Sequence, residues 1–492
     1  MRLKKENYNF LKINICNLIL FICLLISSRI SDLKWLFYLI FIFIFIIYLL
    51  KQSDITIVKH QISYIFISYS ILDFLFYFKI INASMELKYI TDIISIVLLF
   101  KVLINFYKYK CIIKDSFFII IFCSILINSI VYMSNTNNIL DLLNGLRIYF
   151  RFIPLYIIIS FNEFEYEHEY KLFYIINLVI FLGNLLSGMH QDNINGLFGM
   201  DGTTSFSLFI IIMLVTVTVK YINKKVNFLT FLNILVITAI TFIIQENKLF
   251  IFMIPIIVII LFMLIKIDII KKSILLIISS LILIISINVL INIFPQFTNM
   301  FDKNTATVTI TNYLFKNNNP NFTLGRLEAL PVLATEEFKN KFDSYYGIGI
   351  GRALPNENWY YINKDNTVAD FTKSYLYEKY GERFGYHLSS YTILYLEFGF
   401  IGIIILIIIL LIFVRRSLYI TKKCKSSDDK IKGIISVIII ILSIVPIIYG
   451  SNLAVRHFML IELTIFGITT NKYNKIKLGE KNEKNKFYNN SL

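Results

Sequence analysis

The chain has 492 residues, 57% of them apolar and only 16% charged, with a mean hydropathy of +0.70. A typical soluble domain carries about a quarter charged residues, so a water-soluble globular class is excluded. The formal charge of +16 would point to nucleic acid on a soluble chain, but in a membrane protein it records topology instead.

Fourteen apolar stretches fit membrane-crossing helices, at about 11–28, 34–50, 61–80, 90–106, 115–133, 145–160, 172–188, 204–220, 226–244, 249–265, 273–294, 390–413, 433–450 and 454–470. Crossing about 30 Å of hydrocarbon takes roughly twenty apolar residues in a helix. The helix is required because every backbone N–H and C=O must be paired within lipid, and the alternation of a membrane barrel is missing. The expected fold is therefore an all-α polytopic membrane protein with about 14 transmembrane helices. Residues 1–294 form a bundle of about eleven spans, 295–389 one large outward-facing loop with short helices, 390–470 three further spans, and 471–492 a basic tail.

The arrangement of charge sets the sides. Lys and Arg collect at the N-terminus, around Lys51, Lys108, Lys220 and Lys266, between Arg415 and Lys432, and in the tail. The short connections on the opposite side hold few. The positive-inside rule therefore puts the basic side and both termini in the cytoplasm. The 295–389 loop faces outward and carries equal numbers of basic and acidic residues, so the excess charge lies inside and no nucleic-acid partner is expected. The N-terminal apolar run has no small-x-small cleavage site and is read as a retained span. The five cysteines fall in spans or inner connections, without CxxC or a Cys/His cluster, so neither disulfides nor a metal are expected.

A loop of this length is functional more often than idle. Leu324, Leu327, Leu330 and Leu333 recur at helical spacing, predicting an amphipathic helix within 323–342, kinked near Pro331. The GIGIG stretch, Gly347, Gly349 and Gly351, permits close approach of the backbone to a partner, with Arg352 next to it. His387 and Tyr391 are four residues apart where the twelfth span begins, and Glu397 lies one or two turns further in. An ionisable residue at that depth is a functional candidate. Arg147 and Arg151 open the sixth span, and Lys248 opens the tenth. With Arg326 in the loop, these cations stand where an anionic headgroup would sit, although snorkelling explains any one of them equally well.

In order and spacing these residues resemble the O-antigen polymerase and ligase family of bacterial envelope glycosyltransferases. The resemblance runs from about 140 to 415. It comprises Gly325-Arg326, the alternating Gly347, Gly349 and Gly351, then His387 leading to Glu397, Gly399 and Gly402 as E-x-G-x-x-G. Upstream, NGLFG at 195–199 is similar to the family's Gly-Phe segment, and Lys248 stands where the family often has Arg.

The resemblance implies metal-independent, inverting transfer of a glycan from a polyprenyl-diphosphate carrier, without a cofactor, at the outer face of the bacterial cytoplasmic (inner) membrane. Under it, Arg326 with Arg147, Arg151, Lys248 or Arg352 neutralises the diphosphate. His387 or Glu397 is the base, and Gly325, Gly347, Gly349 and Gly351 allow backbone approach. Trp359, Tyr360 and Tyr361 stack on sugars or pack the loop. The partners implied are the polyprenyl-diphosphate-linked oligosaccharide and the lipid bilayer, with a chain-length regulator left open. A ligase acting on finished glycan is the nearest alternative. A lipid-linked oligosaccharide flippase, or an ion-coupled transporter using Asp73 with Lys79 or Glu462, represents another class.

Overall fold

The computed structural model describes residues 2–28, 34–78, 89–135, 139–164, 167–189, 194–199, 202–245, 248–265, 268–295, 316–319, 322–324, 329–336, 340–351, 389–424, 426–450 and 455–489, with a few isolated positions between them. The first half is helical throughout: α1 (Arg2–Ser27), α2 (Lys34–Leu50), α3 (Asp54–Tyr77), α4 (Ile90–Ile104), α5 (Phe106–Ile113), α6 (Ser116–Asn135), α7 (Ile139–Phe150), α8 (Ile153–Phe161) and α9 (Glu167–Leu186). After a 3-10 turn at Gly196–Phe198 come α10 (Thr203–Ile222), α11 (Phe228–Ile244), α12 (Lys248–Leu264) and α13 (Ile269–Ile293). The loop region holds a short antiparallel hairpin, β1 (Lys316–Asn319) with β2 (Phe322–Leu324), then α14 (Ala329–Glu336) and α15 (Lys341–Tyr346). The chain closes with α16 (Ser390–Lys423), α17 (Ser427–Leu442), α18 (Ile444–Tyr449) and α19 (Arg456–Asn489).

Each of the fourteen predicted stretches coincides with a helix or a broken pair of helices. Among the described residues, six spans are long and apolar enough to cross a membrane, or seven if one bent pair is counted as a single span. The protein is a multi-pass, overwhelmingly helical membrane protein. Its outer surface is that of a lipid-facing bundle: Leu39, Ile130 and Met263 are 66%, 68% and 81% exposed. Apolar area on that scale is costly in water and costs nothing against acyl chains.

Four local features differ from the sequence expectation. The fourth span ends at Asn105, where α5 leaves at a bend of 100° to α4, so part of an expected inner connection is helical. The sixth span is broken at Arg151–Phe152 between α7 and α8. Pro154 falls in the first turn of α8, where its missing N–H leaves no intrahelical bond unmade. The loop helix is shorter than the leucine spacing predicted: Leu324 ends β2, and the helix begins at Ala329, so Pro331 lies in its first turn and starts it rather than kinking it. Finally, the tail is helical, continuing α19 to Asn489.

The chain divides into two compact units. The first comprises residues 1–115, 149–206 and 456–471; the second comprises 116–148, 207–455 and 472–492. In the first, α1 and α3 are joined by buried polar pairs. Asn17 donates to the His60 carbonyl at 3.0 Å and its side-chain oxygen meets the His60 ring at 2.8 Å. Gln61 donates to Ser95 of α4 at 2.6 Å. Such interhelical bonds are worth about 0.6 kcal/mol each in lipid and fix register more than they add stability. Gly467 of α19 lets that helix approach α8, since a Cβ there would sit 2.9 Å from Ile159.

In the second unit α16 packs along α17, and Phe117 of α6 stacks edge-on against Phe413 of α16 at 4.9 Å. On the basic side Lys225 pairs with Asp428, whose carboxyl it holds below the usual carboxylate range by a hydrogen bond. Lys472 pairs with Asp429 at 2.8 Å. The first pair is solvent-facing and contributes little to stability, and the second is half-buried. The start of α16 is tied more firmly. Ser390 Oγ donates to the Gly450 carbonyl at 2.8 Å and accepts from Leu453 N–H at 2.9 Å, and Ser390 itself is fully buried. Ser390→Ala strands the Leu453 amide, and a loss of about 1–3 kcal/mol is expected in unfolding measurements on micellar protein; a loss below 0.5 kcal/mol would show that water replaces the hydroxyl.

Candidate functional site

Two buried polar centres stand out, one in each unit. In the first unit the break between α7 and α8 sets Arg151 beside the first turn of α4. Its Nε lies 3.5 Å from Asp92 Oδ1. Arg456, the first residue of α19, reaches the other oxygen of the same carboxylate: Nη2 is 3.4 Å from Asp92 Oδ2, and Nη1 donates to Thr91 Oγ at 2.6 Å. The guanidinium also lies over the Tyr89 ring at 5.5 Å, a cation–π contact worth more once desolvated. The Arg151 and Arg456 side chains are 2% and 1% exposed, against 12% for Asp92. Two buried arginines thus share one carboxylate. All three lie at the helix ends that the charge count assigns to the outer face.

Beside Arg456, the His457 ring packs against Tyr69 at 4.4 Å and Phe198 at 5.3 Å. Phe198 belongs to the NGLFG segment, which is buried and held from α9: Asn177 Oδ1 accepts the Leu197 N–H at 2.8 Å. Gly196 and Gly199 both have positive φ, and a Cβ at either would overlap a neighbour, Asn177 or Asp73. The segment is therefore a compact turn locked against α3 and α9.

In the second unit the GIGIG stretch docks onto an interruption in α16. Gly399 has φ 63° and ψ −162°, so the carbonyls of Leu396 and Glu397 lose their helical donors. An unpaired backbone group in hydrocarbon costs several kcal/mol, and here the loop supplies the replacements. Ile348 N–H donates to the Leu396 carbonyl at 2.8 Å and Gly349 N–H to the Glu397 carbonyl at 3.3 Å. Asn128 of α6 donates its side-chain amide to the same Glu397 carbonyl, and to that of Tyr346 at 3.1 Å. The Glu397 side chain is fully buried, and its Oε1 accepts the Gly351 N–H at 2.9 Å.

The glycine alternation has a steric origin. A Cβ on Gly347 would overlap the Glu397 carbonyl, and one on Gly349 would lie 2.6 Å from Tyr132 Cα. On the facing helix, a Cβ on Gly145 would lie 2.7 Å from the Gly351 nitrogen. The close backbone approach expected at Gly347, Gly349 and Gly351 is thus made to the protein's own α16, α6 and α7.

Of the other expected site residues, Arg147 is half-buried with a hydrogen bond to Asn144 at 2.8 Å. Lys248 is the first residue of α12. Gly325, Arg326, Arg352 and His387 lie outside the described residues, as do Lys79, Trp359, Tyr360 and Tyr361. Sequence reasoning missed Arg456, Asp92 and Asn128. A signal existed for each, since all three are polar residues at or inside apolar runs; nothing local named their partners. Among the described residues no group of His, Cys, Asp or Glu is arranged to hold a metal ion.

Comparison of the chain with protein-family models, with curated proteins and with solved structures finds no match in any of the three.

Proposed function

We propose that the chain is a surface-polysaccharide polymerase: a glycosyltransferase that joins polyprenyl-diphosphate-linked oligosaccharide units at the outer face of the bacterial cytoplasmic membrane. The proposed topology has about fourteen spans, cytoplasmic termini and an outward 295–389 loop. In its support, six ion pairs of the described side chains each join segments that the positive-inside count puts on the same side. Asp54 with Lys108, Lys225 with Asp428, Lys423 with Glu480 and Lys472 with Asp429 fall inside; Arg151 and Arg456 with Asp92 fall outside.

The observation that carries the reading is the sharing of Asp92 by two buried arginines on the outer side. A planar fork of donors matches phosphate oxygens two at a time. Its natural ligand is a lipid-borne phosphate entering from the bilayer. In the proposed reaction the acceptor hydroxyl oxygen attacks the anomeric carbon and forms the glycosidic bond. The anomeric C–O bond to the diphosphate breaks, and its electron pair leaves with the phosphate. Fixed cations stabilise the charge that develops there, the term on which such a barrier depends most. The acceptor proton passes to a base. His387 takes that role in this reading, because a neutral imidazole suits it near pH 7 and Glu397 is engaged by Gly351. Arg326, Arg352, Arg147 and Lys248 are further candidates for the diphosphate on the sequence pattern alone.

The lipid-linked glycan of a strain deleted for this chain tests the reading. Single repeat units reaching the surface support a polymerase. Long chains retained on the carrier would make the chain a ligase, and units trapped at the inner leaflet a flippase. Arg326→Ala is expected to reproduce the deletion phenotype with wild-type protein levels in the membrane; normal chain length in that variant removes Arg326 from the mechanism.

A further inference from the structure

We propose that Glu397 is a positioning residue that anchors the stem of the outer loop to the interrupted helix α16, and that it takes no proton during the reaction. The inference deepens the polymerase reading and rests on it for its activity arm only.

Three loop amides within four residues, those of Ile348, Gly349 and Gly351, are bonded to Leu396 or Glu397. Two of the three go to main-chain carbonyls that the break at Gly399 has released, and the third goes to the Glu397 carboxylate. The carboxylate thus completes a hydrogen-bonding surface that the helix break begins, and Asn128 closes it from α6. The glycines at 347 and 349 exist to let this strand lie flat, because any Cβ there meets protein backbone. The arrangement is built for holding chain.

What it holds matters for the site. Gly351 directly precedes residues 352–388, which carry Arg352 and His387, and that segment returns at Ser389 to enter α16 itself. The two ends of the segment are therefore fixed on one helix, its start by Glu397 and its return by the Ser390 bonds to Gly450 and Leu453. Glu397 fixes Gly351, the residue from which that segment departs, without touching substrate.

The bond from Gly351 needs an acceptor oxygen and not a charge. A glutamine side chain has the same length and keeps such an oxygen, whereas it cannot take up a proton as a carboxylate does. Glu397→Gln is accordingly the discriminating variant, with Glu397→Ala and Asn128→Ala as partners. Two quantities are read on full-length protein: amide hydrogen exchange of the 345–351 peptide in micelles, and glycan chain length in cells.

Glu397→Gln is expected to keep both near wild type. Glu397→Ala and Asn128→Ala are expected to speed exchange at 348–351 by about tenfold, the worth of one buried hydrogen bond, and to shorten or abolish the chains. Loss of long chains in Glu397→Gln with wild-type exchange would overturn the proposal by showing that the reaction needs the carboxylate's charge. Wild-type exchange in Glu397→Ala would overturn it as well, by showing that the stem is held without the side chain. Should the alanine variant fail to accumulate, the glutamine variant decides alone. Should the wild-type chain make no polymer, the polymerase reading fails and the exchange measurements still decide whether Glu397 anchors the stem.

Discussion

Replacing Asp92 by alanine is expected to destabilise the protein by about 3–5 kcal/mol, the cost of removing one partner from a buried ion pair. The loss is large because two guanidiniums lean on this carboxylate, Arg151 at 3.5 Å and Arg456 at 3.4 Å, and both are almost wholly withdrawn from solvent. Without Asp92 they repel each other in a medium that screens them poorly. Removing the cations as well should therefore relieve the strain. Asp92→Leu with Arg456→Met leaves one buried cation and is expected to recover part of the loss; adding Arg151→Met leaves none and is expected to recover most of it, since apolar residues of similar volume replace a buried ion triad at little or no cost.

The triple variant then separates stability from function. The proposed diphosphate site requires the cations whether or not the carboxylate is present. A triple variant that unfolds near the wild-type denaturant concentration and makes no long chains is the expected result. If it unfolds like wild type and also extends glycan normally, the arginines are structural and the donor phosphate is bound elsewhere. Unfolding followed by far-UV signal in mixed micelles and chain length on a gel are the two measurements.

Those arginines also mark the boundary of what the chain discloses locally. The positions of the helices were legible, because a run of about twenty apolar residues has no alternative in lipid to an internally bonded helix. The glycine alternation at 347–351 was legible as close approach, but its partner was not. Gly399 reads as one more helix glycine until its φ of 63° is seen, and Asn128 reads as one polar residue in an apolar span. Asn128 meets the Glu397 carbonyl across 269 residues, and Arg456 meets Asp92 across 364. Periodicity reports which face of a helix is apolar; it does not report which distant helix that face meets. Arg151 could be flagged as a charge in a span, but the break that positions it follows from Pro154 together with the packing of α8.

Gly347→Ala and Gly399→Ala are expected to be the most disruptive single-methyl additions in the second unit, each for two reasons that add. Both residues combine a positive φ, 81° and 63°, with a ψ of −175° and −162°, a region essentially confined to glycine that costs an L-residue about 1–3 kcal/mol. Each also faces the other's segment. A Cβ on Gly347 would overlap the carbonyl carbon and oxygen of Glu397, and one on Gly399 would overlap those of Tyr345. The obstacle in both cases is main chain, which cannot rotate aside as a side chain does. The loop stem and the helix break must therefore separate, and the Leu396 and Glu397 carbonyls lose the amides of Ile348 and Gly349. The expected result for either variant is fast amide exchange at 348–351 and loss of long glycan chains. Gly183→Ala is the control: a Cβ there meets nothing within 4 Å, so the same methyl added to a helix of the first unit should leave exchange and chain length unchanged. If Gly347→Ala exchanged as slowly as wild type, the stem would have to accommodate a side chain against backbone, and the docking of the glycine stretch onto α16 would be wrong.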